Sequence, residues 1–212
     1  MKWTIFFVIT IFSLSFIIRD NWQDTWGQDT GQAGMPVEHV RKMLQEVMTI
    51  QTDPQLRGQA FRGKRKVAIQ NVIAKNFYFD EMVKQVLNPY WEKLDEAKRE
   101  EFKGLFKDLF QDSYTKLVLD FLAREKILYT QEDIRGGQAL VKTTIFRINE
   151  EIPVDYFLTP VEQRWLVHDV KIDGVSIVQN YQKSFARVIK QESYEGLLRK
   201  MRLQHRAIEK SS

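Results

Sequence analysis

Cysteine is absent from this chain and histidine is scarce. The 212 residues contain no cysteine and three histidines. Without cysteine there is no disulfide framework and no thiolate chemistry, which fits the periplasm and the cytoplasm equally. His39, His168 and His205 lie far apart, and no two of them have the spacing of zinc ligands. The sequence therefore predicts no metal site.

Signatures of catalysis are also missing. The chain has no phosphate-binding loop and no dinucleotide-binding fingerprint. Gly174-Val175-Ser176 is not a nucleophile elbow, because Val178 stands where a second glycine is needed. His168 and Asp169 are neighbours on a predicted strand, so they point to opposite faces and cannot form a dyad. We expect no enzyme, although a strand-borne aspartate in a conical α+β fold could still act as a base.

The N-terminus has the composition of a targeting segment. Lys2 precedes a run without charge from Trp3 to Ile18. The run is long for the apolar part of a signal peptide and short for a spanning helix, and no standard cleavage site follows. Residues 1–18 are therefore a signal peptide or an uncleaved membrane anchor, and both predict export. Residues 19–35 are polar and glycine-containing, as in a flexible linker, and we place the folded domain at residues 36–208.

A long amphipathic helix is predicted for residues 95–122. Apolar side chains recur there at steps of three and four, and Asp95 is well placed to cap the first turn. At 1.5 Å per residue the helix is roughly 40 Å long. Its apolar face is broad and aromatic, and the pattern alone leaves open whether that face covers a solid core or forms the wall of a cavity.

The other elements come in an α+β order. Short helices precede the long one; in the nearest of them, Asp80 is the expected N-cap and Asn88-Pro89 the end. Residues 127–130, 139–148, 152–159 and 165–172 are then predicted strands with short connections, and helices follow. We expect helices packed on a twisted antiparallel sheet of about four strands. The last helix is basic; no helix-turn-helix, zinc-knuckle or RNP pattern supports nucleic-acid binding.

Several short motifs, taken together and in order, give the chain a family resemblance. Residues 76–114 and 154–185 resemble the MlaC family, also called the toluene-tolerance family, and the likeness extends from about residue 36 to 203. The most specific motifs are Phe79-Asp80, the spacing of Trp91, Phe102 and Phe106, Tyr156-x-Leu158, Trp165-x-Val167-x-Asp169-Val170, Gly174-Val175-Ser176, Asn180-Tyr181 and Phe185.

The resemblance implies a fold and a function. The fold would be an NTF2-like cone with an internal apolar cavity. The function would be that of a periplasmic phospholipid carrier without catalysis or cofactor, with phospholipid as bound cargo. Its partners would be an inner-membrane ABC transporter complex with an MCE-domain protein and an outer-membrane lipoprotein–porin complex, and the outcome would be outer-membrane lipid asymmetry. Because no headgroup-binding motif is recognisable, we expect broad headgroup tolerance.

Candidate lipid-binding residues are apolar positions on elements that should face each other. They are Phe106, Phe110, Tyr114, Leu117, Phe121, Val154, Tyr156, Leu158, Trp165, Val167, Val175, Val178 and Tyr181. For each of them the alternative is ordinary core. Asp169 and Ser176 are predicted to be structural, as turn and cap partners before the following helix.

A second candidate surface is the basic C-terminal helix. Arg199, Lys200, Arg202 and Arg206 are candidates for partner docking or for contact with lipid headgroups, and the alternative is a solvated helix face. Two other functions also remain open at this point. One is a carrier of another apolar lipid, isoprenoid or polycyclic, and the other is a ligand-free, membrane-tethered adaptor.

Overall fold

The computed structural model describes residues 34–211. The predicted leader 1–18 and nearly all of the linker 19–35 lie outside the described residues. Within the described part the helices are α1 (Pro36–Thr52), α2 (Arg62–Asn76), α3 (Phe79–Leu87), α4 (Glu96–Phe121), α5 (Ile177–Glu192) and α6 (Tyr194–Ser211). The strands are β1 (Lys126–Arg135), β2 (Gln138–Arg147), β3 (Glu150–Val161), β4 (Arg164–Ile172) and β5 (Val175–Ser176). The α+β class is confirmed.

The long helix α4 agrees closely with its sequence pattern. Asp95 is its N-cap, and the carboxylate Oδ1 accepts a 2.9 Å hydrogen bond from the Lys98 backbone N–H. This bond satisfies one of the four backbone donors that a helix start leaves unpaired. The helix ends at Phe121, one residue before the predicted end.

The short helix α3 begins two residues earlier than predicted. Its N-cap position is Tyr78, so Asp80 lies inside the first turn and does not cap the helix; the prediction was wrong. The backbone N–H of Tyr78 donates a 2.8 Å hydrogen bond to the Val167 carbonyl, which ties the chain to β4. Phe79 is buried as the first helical residue, and Asp80 forms an ion pair with Lys103 of α4. Tertiary packing therefore sets this helix start.

The sheet is an antiparallel meander in the order β1-β2-β3-β4-β5. The sequence predicted about four strands and missed the two-residue β5. It also ended β1 too early: pairing with β2 continues through Glu132 and Asp133 to Arg135. These residues have low intrinsic strand preference, but the hydrogen bonds to β2 outweigh it.

One face of the sheet is buried under the helices. Val154, Tyr156 and Leu158 alternate along β3 and point to this inner face. An irregularity in the β3–β4 register pairs Leu158 with Val167 but Phe157 with Asp169. Such a bulge adds a residue to one strand. As a result the inner face of β4 continues from Val167 to Val170.

Candidate functional site

The aromatic face of α4 has two halves with different neighbours. Phe102 and Phe106, in the N-terminal half, are almost fully buried. The Phe106 ring lies 5.3 Å from the ring of Tyr181, and the Phe102 ring lies 5.8 Å from that of Phe185, both on α5. Phe110 continues this cluster, and its ring is 4.2 Å from that of Tyr114. The N-terminal half is therefore solid aromatic core.

The C-terminal half of α4 faces an apolar pocket. The pocket has a volume of about 400 Å³ and lies between this half of α4 and the inner face of the sheet, with α1 and α2 as further walls. Its α4 residues are Tyr114, Leu117, Val118 and Phe121, followed by Leu122. The sheet contributes Ile145, Ile152, Val154, Tyr156, Val170 and Ile172, and the first two helices contribute Met43, Leu44, Val47, Val72 and Ile73. An enclosure of this kind suits an apolar ligand.

Two tyrosines place hydroxyl groups among these apolar walls. Burial raises the pKa of the Tyr114 phenol well above its ordinary value, and burial likewise raises the pKa of Tyr156. A tyrosine phenol is already neutral at pH 7, and the raised pKa keeps both groups neutral to still higher pH. The interior of the pocket carries no charge from them, as binding of hydrocarbon requires.

Charged residues lie on one side of the pocket, which we call the rim: Arg147, Glu150, Glu151 and Asp173. The three carboxylate residues are exposed and Arg147 is half-buried. The Arg147 guanidinium lies 4.8 Å from the centre of the Phe121 ring, so it is seated on the pocket wall. Its nearest carboxylates, of Glu125 and Glu150, are both 3.9 Å away, which is beyond hydrogen-bond distance.

The end of α4 beside the pocket is held by a side chain of α1. Gln51 Nε2 donates to the carbonyl oxygens of Val118, Leu119 and Leu122 at 3.1, 3.2 and 3.0 Å. The Val118 carbonyl also accepts a 2.9 Å bond from the Leu122 backbone N–H. The other two lie where the helix stops, and the last carbonyls of a helix need partners from outside it. The contact fixes the helix end that carries Phe121.

Six of the thirteen predicted lipid-binding residues line the pocket: Tyr114, Leu117, Phe121, Val154, Tyr156 and Val175. Val175 is 43% exposed, at the open side. The other seven lie outside the pocket lining, in the core or in the aromatic cluster: Phe106, Phe110, Leu158, Trp165, Val167, Val178 and Tyr181. Along α4 the two groups separate because Phe106 packs against Tyr181 of α5, whereas Leu117 and Phe121 face the pocket.

The sequence analysis missed the walls from α1 and α2 and the whole rim. Helical periodicity marks Met43, Leu44 and Val47 as one apolar face, and this signal was available. Periodicity does not say which element lies opposite that face. Arg147 gives no signal at all in the sequence, because it becomes a pocket residue only when β2 is placed under α4.

Asp169 and Ser176 are structural, as predicted. Ser176 is the N-cap of α5, where its Oγ accepts a 3.0 Å bond from the Gln179 N–H. Asp169 Oδ1 accepts from the backbone N–H groups of Val170 and Val178 at 2.8 and 3.1 Å. His168 has no hydrogen-bond partner on either ring nitrogen among the described residues, so it forms no dyad with Asp169. No group of three or more potential metal ligands is present in residues 34–211.

The basic residues of α6 are mostly paired with carboxylates. Lys200 and Arg199 both pair with Glu192 at the end of α5, Arg199 at 3.8 Å. Arg202 Nε donates a 2.9 Å hydrogen bond to Glu101 of α4. Arg206 is exposed and has no ion pair within the described chain. The structure therefore leaves Arg206 as the most available of the four predicted docking residues.

A protein of known structure has a similar fold. The phospholipid-binding protein from Ralstonia solanacearum, determined in complex with a phospholipid, matches with a TM-score of 0.70. The match covers 84% of this chain and 99% of that chain at 19% sequence identity, and it establishes a shared α+β fold. Nothing among the curated proteins is significantly similar in sequence.

The family is established from the sequence. The model of the family described as MlaC protein matches residues 41–203, well over half of the chain. The chain therefore belongs to the MlaC family. Within residues 34–211, no helix combines the length and the apolar composition needed to cross a membrane.

Proposed function

We propose that this protein is a periplasmic phospholipid carrier that holds acyl chains in the pocket between α4 and the sheet. The observation that carries the proposal is the apolar pocket itself: its walls come from α1, α2, α4 and the sheet, and charged side chains lie only at its rim. Family membership and the phospholipid bound to the structurally similar protein from Ralstonia solanacearum support it.

The physical need for such a carrier is large. Each methylene exposed to water costs about 0.8 kcal/mol, so two acyl chains cost on the order of 20 kcal/mol. Free transfer of a lipid across an aqueous gap is therefore slow. A protein that encloses the tails removes most of this cost and can leave the headgroup at the open side.

In this proposal, the predicted lipid-binding residues that line the pocket are the ones that contact the lipid. Tyr114, Leu117 and Phe121 of α4 would lie along one side of the acyl chains. Val154 and Tyr156 of β3 would lie along the other, with Val175 at the opening. The aromatic cluster around Phe106 would support the α4 wall without touching the lipid. In this assignment the pocket corresponds to the internal cavity of an NTF2-like cone.

The proposed cellular role follows from family membership. The protein would receive or deliver phospholipid at an inner-membrane ABC transporter complex with an MCE-domain protein, and at an outer-membrane lipoprotein–porin complex. Such exchange would maintain outer-membrane lipid asymmetry. It would act either as a soluble protein after cleavage of residues 1–18 or on a tether formed by residues 19–35.

Native mass spectrometry of the purified protein, followed by lipid extraction, tests the proposal. We expect a mass increase equal to a phospholipid, lost on extraction and restored by incubation with phospholipid vesicles. An isoprenoid or polycyclic lipid in its place would mean a different cargo. A protein that carries no lipid and takes none from vesicles would be an adaptor, and the carrier proposal would be wrong.

A further inference from the structure

The rim contains one arginine whose hydrogen-bonding capacity is unused. A guanidinium has five N–H donors. Within the described chain no acceptor lies within hydrogen-bond distance of Arg147; Glu125 Oε1 is 3.9 Å from its Nε, and Glu150 Oε2 is 3.9 Å from its Nη1. The donors of Arg147 are thus open to a ligand.

The position of Arg147 is fixed relative to the pocket. It follows Ile145 by two residues on β2, so it projects to the same, pocket-facing side of the sheet. Its guanidinium rests over Phe121, whose ring lines the pocket. Its side chain is 28% exposed, so a bond to an anion there is less screened by water than on an open surface. Arginine in such a setting binds phosphate oxygens through paired N–H groups.

The remaining charge of the rim is negative. Arg147 is one cation against the carboxylates of Glu150, Glu151 and Asp173, which leaves a formal charge of −2. Glu150 is the cross-strand partner of Arg147, on the same face, and Asp173 stands at the β4–β5 turn. Asp173 has no ion-pair partner in the described residues. This excess disfavours a ligand of net negative charge and favours one in which a cationic group accompanies the phosphate.

We propose that the rim selects zwitterionic phospholipids, with Arg147 donating hydrogen bonds to the headgroup phosphate and Glu150 and Asp173 facing the headgroup ammonium. This inference rests on the proposed function, since it places the acyl chains of the same lipid in the pocket. It replaces the broad headgroup tolerance expected from the sequence with a preference set by three side chains.

The test compares lipids with identical acyl chains and different headgroups. Binding to the delipidated protein is measured by displacement of a fluorescent fatty acid. The lipids are phosphatidylethanolamine, phosphatidylglycerol and diacylglycerol, the last of which lacks the phosphate. We expect the Arg147→Gln variant to lose about tenfold in affinity for phosphatidylethanolamine, the size of one charge-assisted hydrogen-bonding contact, and to bind diacylglycerol as the wild type does.

A matched control is available at the other end of the sheet. Arg135 is exposed, is paired with Asp133 at 3.0 Å and lies at the far end of the β1–β2 hairpin, so Arg135→Gln makes the same chemical change away from the rim. We expect this control to leave all three affinities unchanged. An equal loss for all three lipids in Arg147→Gln, or no loss for phosphatidylethanolamine, would overturn the assignment of Arg147.

The same measurement also tests the proposed headgroup preference. The wild type should bind phosphatidylethanolamine more tightly than phosphatidylglycerol. In the double variant Glu150→Gln/Asp173→Asn, the difference between these two affinities should be smaller. Asparagine suits position 173 because the backbone there has a φ of 51°. Equal or tighter binding of phosphatidylglycerol by the wild type would refute the zwitterionic preference. Failure of the wild type to bind any of the three lipids would instead refute the carrier function, and the rim assignment with it.

Discussion

Ser176 Oγ donates a 2.5 Å hydrogen bond to Asp169 Oδ2, and this bond joins the end of β4 to the start of α5. The same serine accepts from the Gln179 N–H as the helix N-cap. Both residues are buried. Together they fix where α5 begins, and α5 in turn carries Tyr181 and Phe185 into the aromatic cluster on α4.

Removing either member of this pair should reduce the free energy of unfolding but leave lipid uptake by the folded protein intact. Ser176→Ala should cost about 1 kcal/mol, as loss of an N-cap does. Asp169→Ala should cost about 1–3 kcal/mol or more, because buried donors at Val170 and Val178 lose their acceptor. Urea unfolding measures both, and Ser184→Ala, at an exposed serine of the same helix α5, is the control. An Asp169→Ala protein of normal stability but without lipid uptake would show that the aspartate acts on the ligand.

The nature of the space beside α4 can be tested at Leu117. If lipid occupies the pocket, Leu117→Trp should leave the stability of delipidated protein nearly unchanged and sharply reduce the co-purified phospholipid. Leu117→Ala should cost less than the 2–5 kcal/mol typical of a buried leucine, because one side of it faces no protein atom.

Leu109 is the matched control for Leu117, since it lies on the same helix, is buried and does not line the pocket. Leu109→Trp should destabilise by about 1–3 kcal/mol through overpacking, and Leu109→Ala by about 2–5 kcal/mol. If the Leu117 variants were as unstable as the Leu109 variants and the wild type held no lipid, the pocket would be ordinary core.

The basic face of α6 should act in docking and contribute little to folding. Replacing Arg199, Lys200, Arg202 and Arg206 with Glu breaks three exposed ion-pair contacts, each worth roughly 0–1 kcal/mol. We expect a folded protein with weaker binding to the transporter component or to anionic vesicles. The loss should shrink as salt rises, because the contact is electrostatic.

A charge-matched variant controls for the change in net charge. It replaces four exposed cations on other helices with Glu: Lys84, Lys116, Lys183 and Arg187. This control should bind more like the wild type than the α6 variant does. Equal binding by both variants at low salt would make α6 a plain solvated surface.

Stability should fall as the solution is acidified through the histidine range. Burial lowers the pKa of His168 and of His39 below the ordinary value of 6.5. Asp169 and Glu81 oppose this effect at His168, and Arg164, Lys42 and Lys75 reinforce it at His39. The unfolded chain then binds more protons than the folded one, so the stability is present above about pH 6.5 and is lost as pH falls through the folded pKa values.

Urea unfolding between pH 7.5 and pH 5 measures this dependence. His168→Leu should flatten it, and it should not reduce stability at pH 7.5, because both ring nitrogens are buried without a partner in the described chain. The double variant with His39→Gln should flatten it further. A slope unchanged in the double variant would exclude these histidines as its source.

Export remains a prediction from residues 1–18, which lie outside the described part. Cell fractionation of a C-terminally tagged protein should recover it outside the cytoplasm, because the segment from Trp3 to Ile18 carries no charge. Sequencing of the mature N-terminus separates the two versions. A start at Met1 would identify an anchor, and a later start would identify a signal peptide. Recovery mainly in the cytosol would contradict both.

The sequence by itself determined much of the local structure, though not the start of α3 or the end of β1. Asp95 and the apolar period predicted the start and nearly the whole length of α4, and alternation predicted the inner-facing residues of β3. It also determined the family, because the ordered motifs from Phe79 to Phe185 lie within the matched region. These properties depend on each segment's own residues and on their nearest neighbours along the chain.

Only the tertiary structure decided what lies opposite each apolar face. Phe106 and Leu117 belong to one helical stripe, but α5 packs on Phe106, whereas Leu117 faces a pocket. The same applies to Arg147, which is the last residue of an ordinary strand in the sequence and a pocket-rim residue in the fold. Periodicity specifies which side of an element avoids water. Whether that side packs against protein or faces a pocket depends on how elements distant in the sequence dock. The residue pattern within one element does not specify this docking.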